Sequence, residues 1–274
     1  MFLVNGQESH ALSLPDRAIH YGDGLFETLA VKNGQALCWQ AHIHRLIEGC
    51  KKLRIECPDM GILRKEAEGL CADIDKGILK LIISRGEGGR GYTPPATTSP
   101  TRILATYDWP DYPDNIAIDG VETGLCQARL GHNPMLAGLK HLNRLEQVLL
   151  RAEAVAAGRW EGIVLDIDGN VIEGTMSNLF ILKENRLITA DLGRCGVAGV
   201  IREIILARAN DWQLVAEVSE IKPDDLFAAD EVFLCNSVIG IWPVRSIDKH
   251  VLQPGKRTKQ IREQLCHDSV IIES

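Results

Sequence analysis

The chain reads as an α+β protein in two halves. Strand-like and helix-like segments are mixed without strict alternation, which disfavours a doubly wound parallel sheet. The run Trp109-Pro110-Asp111-Tyr112-Pro113-Asp114 interrupts the pattern with two prolines in a short polar stretch, as a linker does. With 274 residues, 45% hydrophobic and 24% charged, each flank can bury a core of its own. The expected divisions are an N-terminal α+β domain over residues 1–108, a linker over 109–115 and a C-terminal α+β domain over 116–274.

Phe2-Leu3-Val4 is apolar and meets the turn signal Asn5-Gly6, so the chain opens on a strand. Leu25 to Val31 and Gln35 to Trp39 flank Lys32-Asn33-Gly34, and Asn-Gly between apolar runs is the strongest short hairpin signal. From His42 to Leu53 the apolar residues Ile43, Leu46, Ile47, Cys50 and Leu53 fall at helical spacing. A second helix is expected over residues 60–74, then strands over 79–84 and 102–107. Beyond the linker, residues 116–130 read as strands. A helix follows, with Leu142, Leu145, Val148, Leu149, Ala152 and Val155 on one face. Residues 162–166 form a strand that turns at Asp168-Gly169, and 179–182 with 186–189 form a hairpin around Glu184-Asn185. Gly199 precedes a helix over 200–209, strands cover 213–218 and 231–235, and the tail from Lys256 is helical.

The formal net charge of −7 makes nucleic acid an unfavourable partner, although a local basic pocket for an acidic small molecule remains open. The 8 cysteines form no CxxC pair and no cysteine–histidine cluster with zinc spacing. No signal peptide opens the sequence and no apolar run suits a membrane span. The expectation is a cytoplasmic protein with free thiols, no metal and no membrane partner.

Lys140 ends the run Met135-Leu136-Ala137-Gly138-Leu139 and is the only lysine between Lys80 and Lys183. Desolvation lowers an amine's pKa and makes it a nucleophile toward carbonyls, as a Schiff-base lysine requires. Read alone, the segment better suits a lysine with its stem on the core and its head in water. A pyridoxal phosphate enzyme would also need a carboxylate at the pyridine nitrogen, a phosphate cradle and a means of holding substrate. Glu173, after a short apolar strand and before Gly174, could be that carboxylate or a turn-capping one. Val197-Ala198-Gly199-Val200-Ile201-Arg202 leads into a helix through glycine, which offers free amides to an anion. Arg45 lies three residues after His42 on one helix face, so both could point at one ligand. Asn236-Ser237, after a strand, could complete the cradle.

Gly86-Glu87-Gly88-Gly89-Arg90-Gly91 fits the dinucleotide fingerprint GxGxxG after a strand. That fingerprint demands a helix at once, and Tyr92-Thr93-Pro94-Pro95 cannot supply it. Either a flexible loop presenting Arg85, Arg90 and Tyr92 to an acidic substrate or a plain surface turn fits instead.

Taken together, these segments resemble the class-IV aminotransferase family of pyridoxal phosphate enzymes, fold type IV. The likeness runs along nearly the whole chain, through Tyr21-Gly22-Asp23-Gly24-Leu25-Phe26-Glu27-Thr28, His42-Ile43-His44-Arg45-Leu46, Leu139-Lys140, Val171-Ile172-Glu173-Gly174, Ser177-Asn178-Leu179-Phe180 and Gly199-Val200-Ile201-Arg202. The resemblance implies a two-domain fold like that of D-amino acid aminotransferase, with mixed sheets and flanking helices, and a homodimer with each active site between the two domains and near the partner chain. It implies Lys140 as the lysine bonded to pyridoxal 5′-phosphate, Glu173 at the pyridine nitrogen, Arg45 at the phosphate, and the amides of Val200 and Ile201 with Ser237 in the cradle.

Three stretches resemble the lyase branch of that family: Ser84 to Tyr92, Arg129-Leu130-Gly131-His132-Asn133-Pro134, and Leu139-Lys140-His141-Leu142-Asn143-Arg144. That branch converts 4-amino-4-deoxychorismate to 4-aminobenzoate and pyruvate in folate synthesis. The likeness implies Thr28 as a second catalytic residue beside Lys140, the general base. Arg90 and Arg129 are the candidates for the substrate's carboxylates. Asn143-Arg144 departs from the Asn-Tyr that aminotransferases often carry after the lysine. A branched-chain or D-amino acid aminotransferase on the same scaffold is the alternative; a cofactor-binding regulator and a plain interaction protein are the others.

Overall fold

The structure is a computed structural model that describes residues 1–113 and 115–272. Asp114 of the expected linker, and Glu273 and Ser274 of the expected C-terminal domain, lie outside the described residues. The chain forms two compact units: Met1–Pro110 with Lys140–Asn143, and Asp111–Leu139 with Arg144–Ser274. The mixed α+β composition with several sheets is the one expected.

The first unit runs β1 (Phe2–Val4), β2 (Gln7–Glu8), α1 (Arg17–Tyr21), β3 (Gly24–Lys32), β4 (Gln35–Ala36), α2 (Trp39–Leu53), α3 (Met60–Cys71), β5 (Lys76–Ser84) and β6 (Thr101–Asp108). Its strands make one antiparallel six-stranded sheet in the order β2-β1-β6-β5-β3-β4. The Asn-Gly hairpin forms, with Asn33 at φ 50° and Gly34 at φ 77°; both central positions of such a turn need positive φ. Its second strand is only two residues long, because Trp39 already opens α2. Leu25, Leu29 and Val31 of β3 and Leu79, Leu81 and Ile83 of β5 pack with Ile43 and Leu46 of α2 and Leu63 of α3. Each such side chain contributes about 1.5–3 kcal/mol on burial.

The segment Lys140–Asn143 was expected within the C-terminal domain but groups with the first unit. The reason lies in the backbone. Beyond β4, the edge of β3 is open, and this segment closes it. Phe26 N donates to Lys140 O (3.0 Å), Leu142 N donates to Gly24 O (3.0 Å), and His141 bridges Leu25.

The second unit runs α4 (Ile116–Asp119), β7 (Val121–Thr123), β8 (Leu125–Leu130), α5 (Leu145–Ala156), β9 (Ile163–Asp166), β10 (Val171–Gly174), β11 (Asn178–Lys183), β12 (Arg186–Ala190), α6 (Val200–Ala207), β13 (Val215–Ser219), α7 (Pro223–Phe227), β14 (Glu231–Asn236), β15 (Gly240–Ile247), β16 (His250–Val251) and α8 (Lys256–His267). A mixed seven-stranded sheet follows the order β13-β12-β11-β14-β15-β16, with β7 also on β15; β10, β9 and β8 form a second sheet. Leu179, Ile181, Val232, Leu234, Trp242 and Val244 centre its core.

Three expectations need correction here. Residues 116–119 form a helical turn rather than a strand, closed by Gly120 at φ 83°. The helix after Lys140 starts at Leu145, and its apolar stripe does not face this chain's core: Leu150 and Ala154 are buried, whereas Leu145 is 77% exposed and Leu149 66%. The long strand β15 was not anticipated, because Pro243 in its middle argues against a strand.

Candidate active site

In the first unit, alternation along β3 sorts its side chains onto two faces. Phe26 and Thr28 share one face. Lys140 Nζ lies 4.3 Å from the Phe26 ring centroid, in cation–π contact. Lys80 is the Cα partner of Thr28 across β5, and its Nζ lies 5.5 Å from the same ring. The structure therefore places Lys140, Thr28, Phe26 and a second lysine on one side of the sheet. Lys140 itself is half-buried, and Met135 in the apolar run before it is exposed.

Glu27 points to the other face, in register with Leu25 and Leu29, and is 1% exposed. Arg45 on α2 grips it with two donors: Nε donates to Oε1 (2.8 Å) and Nη2 donates to Oε2. His42, one helical turn earlier, donates from Nδ1 to Oε2 (2.6 Å). The expectation that His42 and Arg45 converge on one ligand holds in form, but the group they share is this chain's own carboxylate. Burial pushes the Glu27 carboxyl up; the His42 hydrogen bond and the Arg45 charge and hydrogen bonds outweigh it and hold it at about 2. His42 is pushed below the ordinary histidine value, first by burial, against the pull of Glu27 and with the charges of Arg45 and Lys140 adding to the fall.

The glycine loop after β5 enters no helix, so the dinucleotide reading fails as expected. Nor does the loop present Arg85. Arg85 is 8% exposed, and its guanidinium is tied to Asp23 Oδ2 (2.7 Å) and Oδ1 (2.9 Å) and to the carbonyls of Arg54 (2.7 Å) and Leu53 (2.9 Å). The loop is also stapled rather than loose. Arg17 holds Asp23 (2.8 Å), Gly91 O (3.1 Å) and Tyr92 O (3.2 Å), and Gly91 N donates to the Tyr21 hydroxyl (2.8 Å). Arg90 is exposed on this braced turn.

In the second unit, Glu173 is the penultimate residue of β10 and is 5% exposed. Its Oε2 accepts from Val197 N (2.9 Å). Val197 leads into α6, whose N-cap Gly199 supplies no side-chain cap. The first N–H groups of a helix have no acceptor within it, and such an end, here at Val200 and Ile201, is of the kind that can hold an anion. Asn178 holds this turn: its Nδ2 donates to Val197 O (2.8 Å), and a Cβ on Gly199 would stand 2.0 Å from its Oδ1. Asn236 braces the loop after β14, its Oδ1 accepting from Val238 N (2.7 Å) and Ile239 N (2.8 Å), with half-buried Ser237 between. Arg129 is exposed and folds its guanidinium onto Cys126 O, Gln127 O (3.0 Å) and Ala128 O (3.3 Å) of its own strand.

These groups fit pyridoxal phosphate chemically: a half-buried amine, a buried carboxylate acceptor, and a helix end with uncapped amides. Sequence reasoning missed Glu27, Lys80 and Asn178. The signal for Glu27 was a carboxylate at an inward position of an alternating strand, which demands a partner.

The fold and these groups define a fold type IV enzyme. The family model for amino-transferase class IV matches residues 24–247, and the chain belongs to that family. Among solved structures, 4-amino-4-deoxychorismate lyase from Pseudomonas aeruginosa is 47% identical with a TM-score of 0.94, covering 99% of this chain and 100% of that one. Aminodeoxychorismate lyase of Vibrio harveyi is 37% identical over 269 residues, which are 97% of this chain and 99% of that protein. A hypothetical aminotransferase from Mycobacterium tuberculosis, in its PLP-bound form, shares the fold at 24% identity with a TM-score of 0.86, covering 99% of each chain.

Proposed function

We infer that the chain is a pyridoxal-phosphate-dependent lyase that converts 4-amino-4-deoxychorismate to 4-aminobenzoate and pyruvate. The observation that carries this is likeness along almost the full length, at 47% and 37% identity, to two proteins named for that reaction. Bound pyridoxal phosphate supplies an aldehyde that condenses with amines and a ring that takes up the electron pair of a broken C–H bond.

The side chains then take the following roles. Lys140 would hold the cofactor through Nζ and, as a free amine, would take the proton from the substrate carbon bearing nitrogen. Glu173 accepts the pyridine N–H, and the Val197 amide on Oε2 keeps that carboxylate aimed. The amides of Val200 and Ile201, Arg45 and Ser237 receive the phosphate. Loss of the enolpyruvyl oxygen from the neighbouring carbon makes the ring aromatic, which drives the reaction forward. Thr28 or Lys140 returns a proton to the departing enolpyruvate. Lys80, facing the same side as Thr28, and exposed Arg90 supply positive charge for the two substrate carboxylates. Arg129 is engaged with its own strand and is the weaker candidate of the three.

The exposed apolar side chains of α5 (Leu145, Val148, Leu149 and Val155) support a homodimer, which would show in light scattering as twice the 30.2 kDa of the chain. A purely monomeric protein at micromolar concentration would remove that part of the reading. No helix among the described residues is long and apolar enough to cross a membrane. All eight cysteines are free thiols, which supports a reducing cytoplasm, and the product supports a place in folate synthesis.

The deciding experiment supplies 4-amino-4-deoxychorismate, follows 4-aminobenzoate, and maps the peptide labelled by borohydride. Aminobenzoate release and a pyridoxyl group on Lys140 are expected. Rapid transamination between amino and keto acids with no aminobenzoate would assign the chain to the aminotransferases instead.

A further inference from the structure

Glu27 is buried and charged, and it has none of the roles assigned above. It occupies an inward position of β3 between Leu25 and Leu29, where an apolar residue would be cheaper. Its partners reveal its use. The carboxylate receives Nε and Nη2 of Arg45 and Nδ1 of His42, and the side chains of Glu27 and His42 are each 1% exposed. The Arg45 side chain is 16% exposed, so it extends outward from a fully buried base. A free arginine has several rotatable bonds and loses rotamer entropy when it grips a ligand. A carboxylate holding two of its donors fixes the guanidinium plane in advance.

We propose that Glu27 is a positioning residue for phosphate recognition: it clamps the Arg45 guanidinium in the orientation that receives the cofactor's phosphate monoester, with His42 holding the carboxylate from its other side. This rests on the reading of Arg45 as a phosphate ligand. Charge and positioning make opposite predictions here. Removing the Glu27 charge leaves Arg45 less compensated, so charge alone predicts tighter phosphate binding. Releasing the guanidinium predicts weaker binding. The bidentate geometry and the buried base favour positioning as the larger effect.

The test titrates the full chain, freed of cofactor, with pyridoxal phosphate and with pyridoxal, which lacks the phosphate. The ratio of the two affinities isolates the phosphate end. Glu27→Gln should lower that ratio by about tenfold, in line with loss of a charge-assisted bidentate clamp. The same change placed on Arg45→Ala should lower it no further, since Glu27 acts only through Arg45. Arg45→Lys tests the claim without touching the buried base. It keeps the charge but lacks the planar fork of two nitrogens by which Glu27 fixes the group, so its ratio should fall nearly as far as that of Arg45→Ala. A Glu27→Gln ratio that is unchanged or higher overturns the proposal, as does equal weakening of both ligands or an Arg45→Lys ratio like wild type. In those cases a low ratio for Arg45→Ala leaves the phosphate role of Arg45 standing. A wild-type ratio for Arg45→Ala removes that role itself.

Discussion

The two units hold their candidate groups by different means. In the first, the candidate groups are side chains held by other side chains: Arg45 on Glu27, Glu27 on His42, Lys140 over Phe26. In the second, they are one carboxylate held by a backbone amide, Glu173 on Val197 N, and the uncapped backbone start of α6 behind Gly199. The first arrangement depends on which residues are present and on their ionisation. The second depends chiefly on the path of the main chain, and its amides do not titrate. Side-chain substitutions should therefore dominate in the first unit, and small steric changes in the second.

The largest effect is expected at Lys140. On the roles proposed for Lys140, Lys140→Ala removes both the covalent anchor and the general base, and turnover should fall by about 10³-fold or more. Lys140→Arg keeps a cation near Phe26 yet should rescue nothing, because guanidinium stays protonated and cannot act as the nucleophile. Aminobenzoate formation, with the visible absorption of the protein read alongside, checks both variants. An Arg variant with substantial turnover would mean that charge rather than amine chemistry is what this position supplies.

Next in size is the response to acid, which separates the ionised unit from the amide-built one. Glu27 has a folded value of about 2 against 4.5 in its ordinary state, and His42 is also depressed in the fold. Both therefore add stability that is present above their unfolded values and is lost as pH falls. The loss begins below the ordinary histidine value through His42 and continues from about 4.5 toward about 2 through Glu27. The Glu27 part is on the order of 3 kcal/mol. In urea unfolding, wild type should exceed Glu27→Gln most at neutral pH, and the gap should close through that acid window. A gap of constant size from neutral pH down to pH 3 would show that the stability of Glu27 does not come from its charge.

What could be read from the sequence follows the same division. The Lys32-Asn33-Gly34 hairpin was legible because its turn chemistry is local, and so was the glycine before α6. Lys140 stood out as a lysine after an apolar run. Glu27 did not, because its partner lies 18 residues away and becomes a neighbour only when α2 packs on β3. Periodicity identified α5 but not the face it buries: the stripe through Leu145 and Leu149 is exposed while Leu150 is 1% exposed. Pro243 concealed β15, although the adjacent Trp242 is fully buried in the core. Arg85 and Arg90 are close in sequence, yet one braces the chain and the other is exposed; only the distant Asp23 and the Leu53 and Arg54 carbonyls distinguish them.

The smallest effect tests the amide-built unit where it has no side chain to lose. Gly199 has an ordinary φ of −71°, so Gly199→Ala strains no backbone angle. Its added methyl would instead stand 2.0 Å from Asn178 Oδ1. Asn178 is 6% exposed and its Nδ2 is bonded to Val197 O, so it can move aside only by giving up that bond. The turn that carries both the Val197 amide and the start of α6 would then loosen. Affinity for pyridoxal phosphate should fall by about tenfold, equivalent to about 1.4 kcal/mol, with turnover at saturating cofactor much less affected. Asn178→Ala combined with Gly199→Ala relieves the clash but not the lost bond, so it should recover only part of that affinity. Full recovery in the double variant would mean that the Asn178 bond to Val197 contributes nothing, and that the glycine is needed there for space alone.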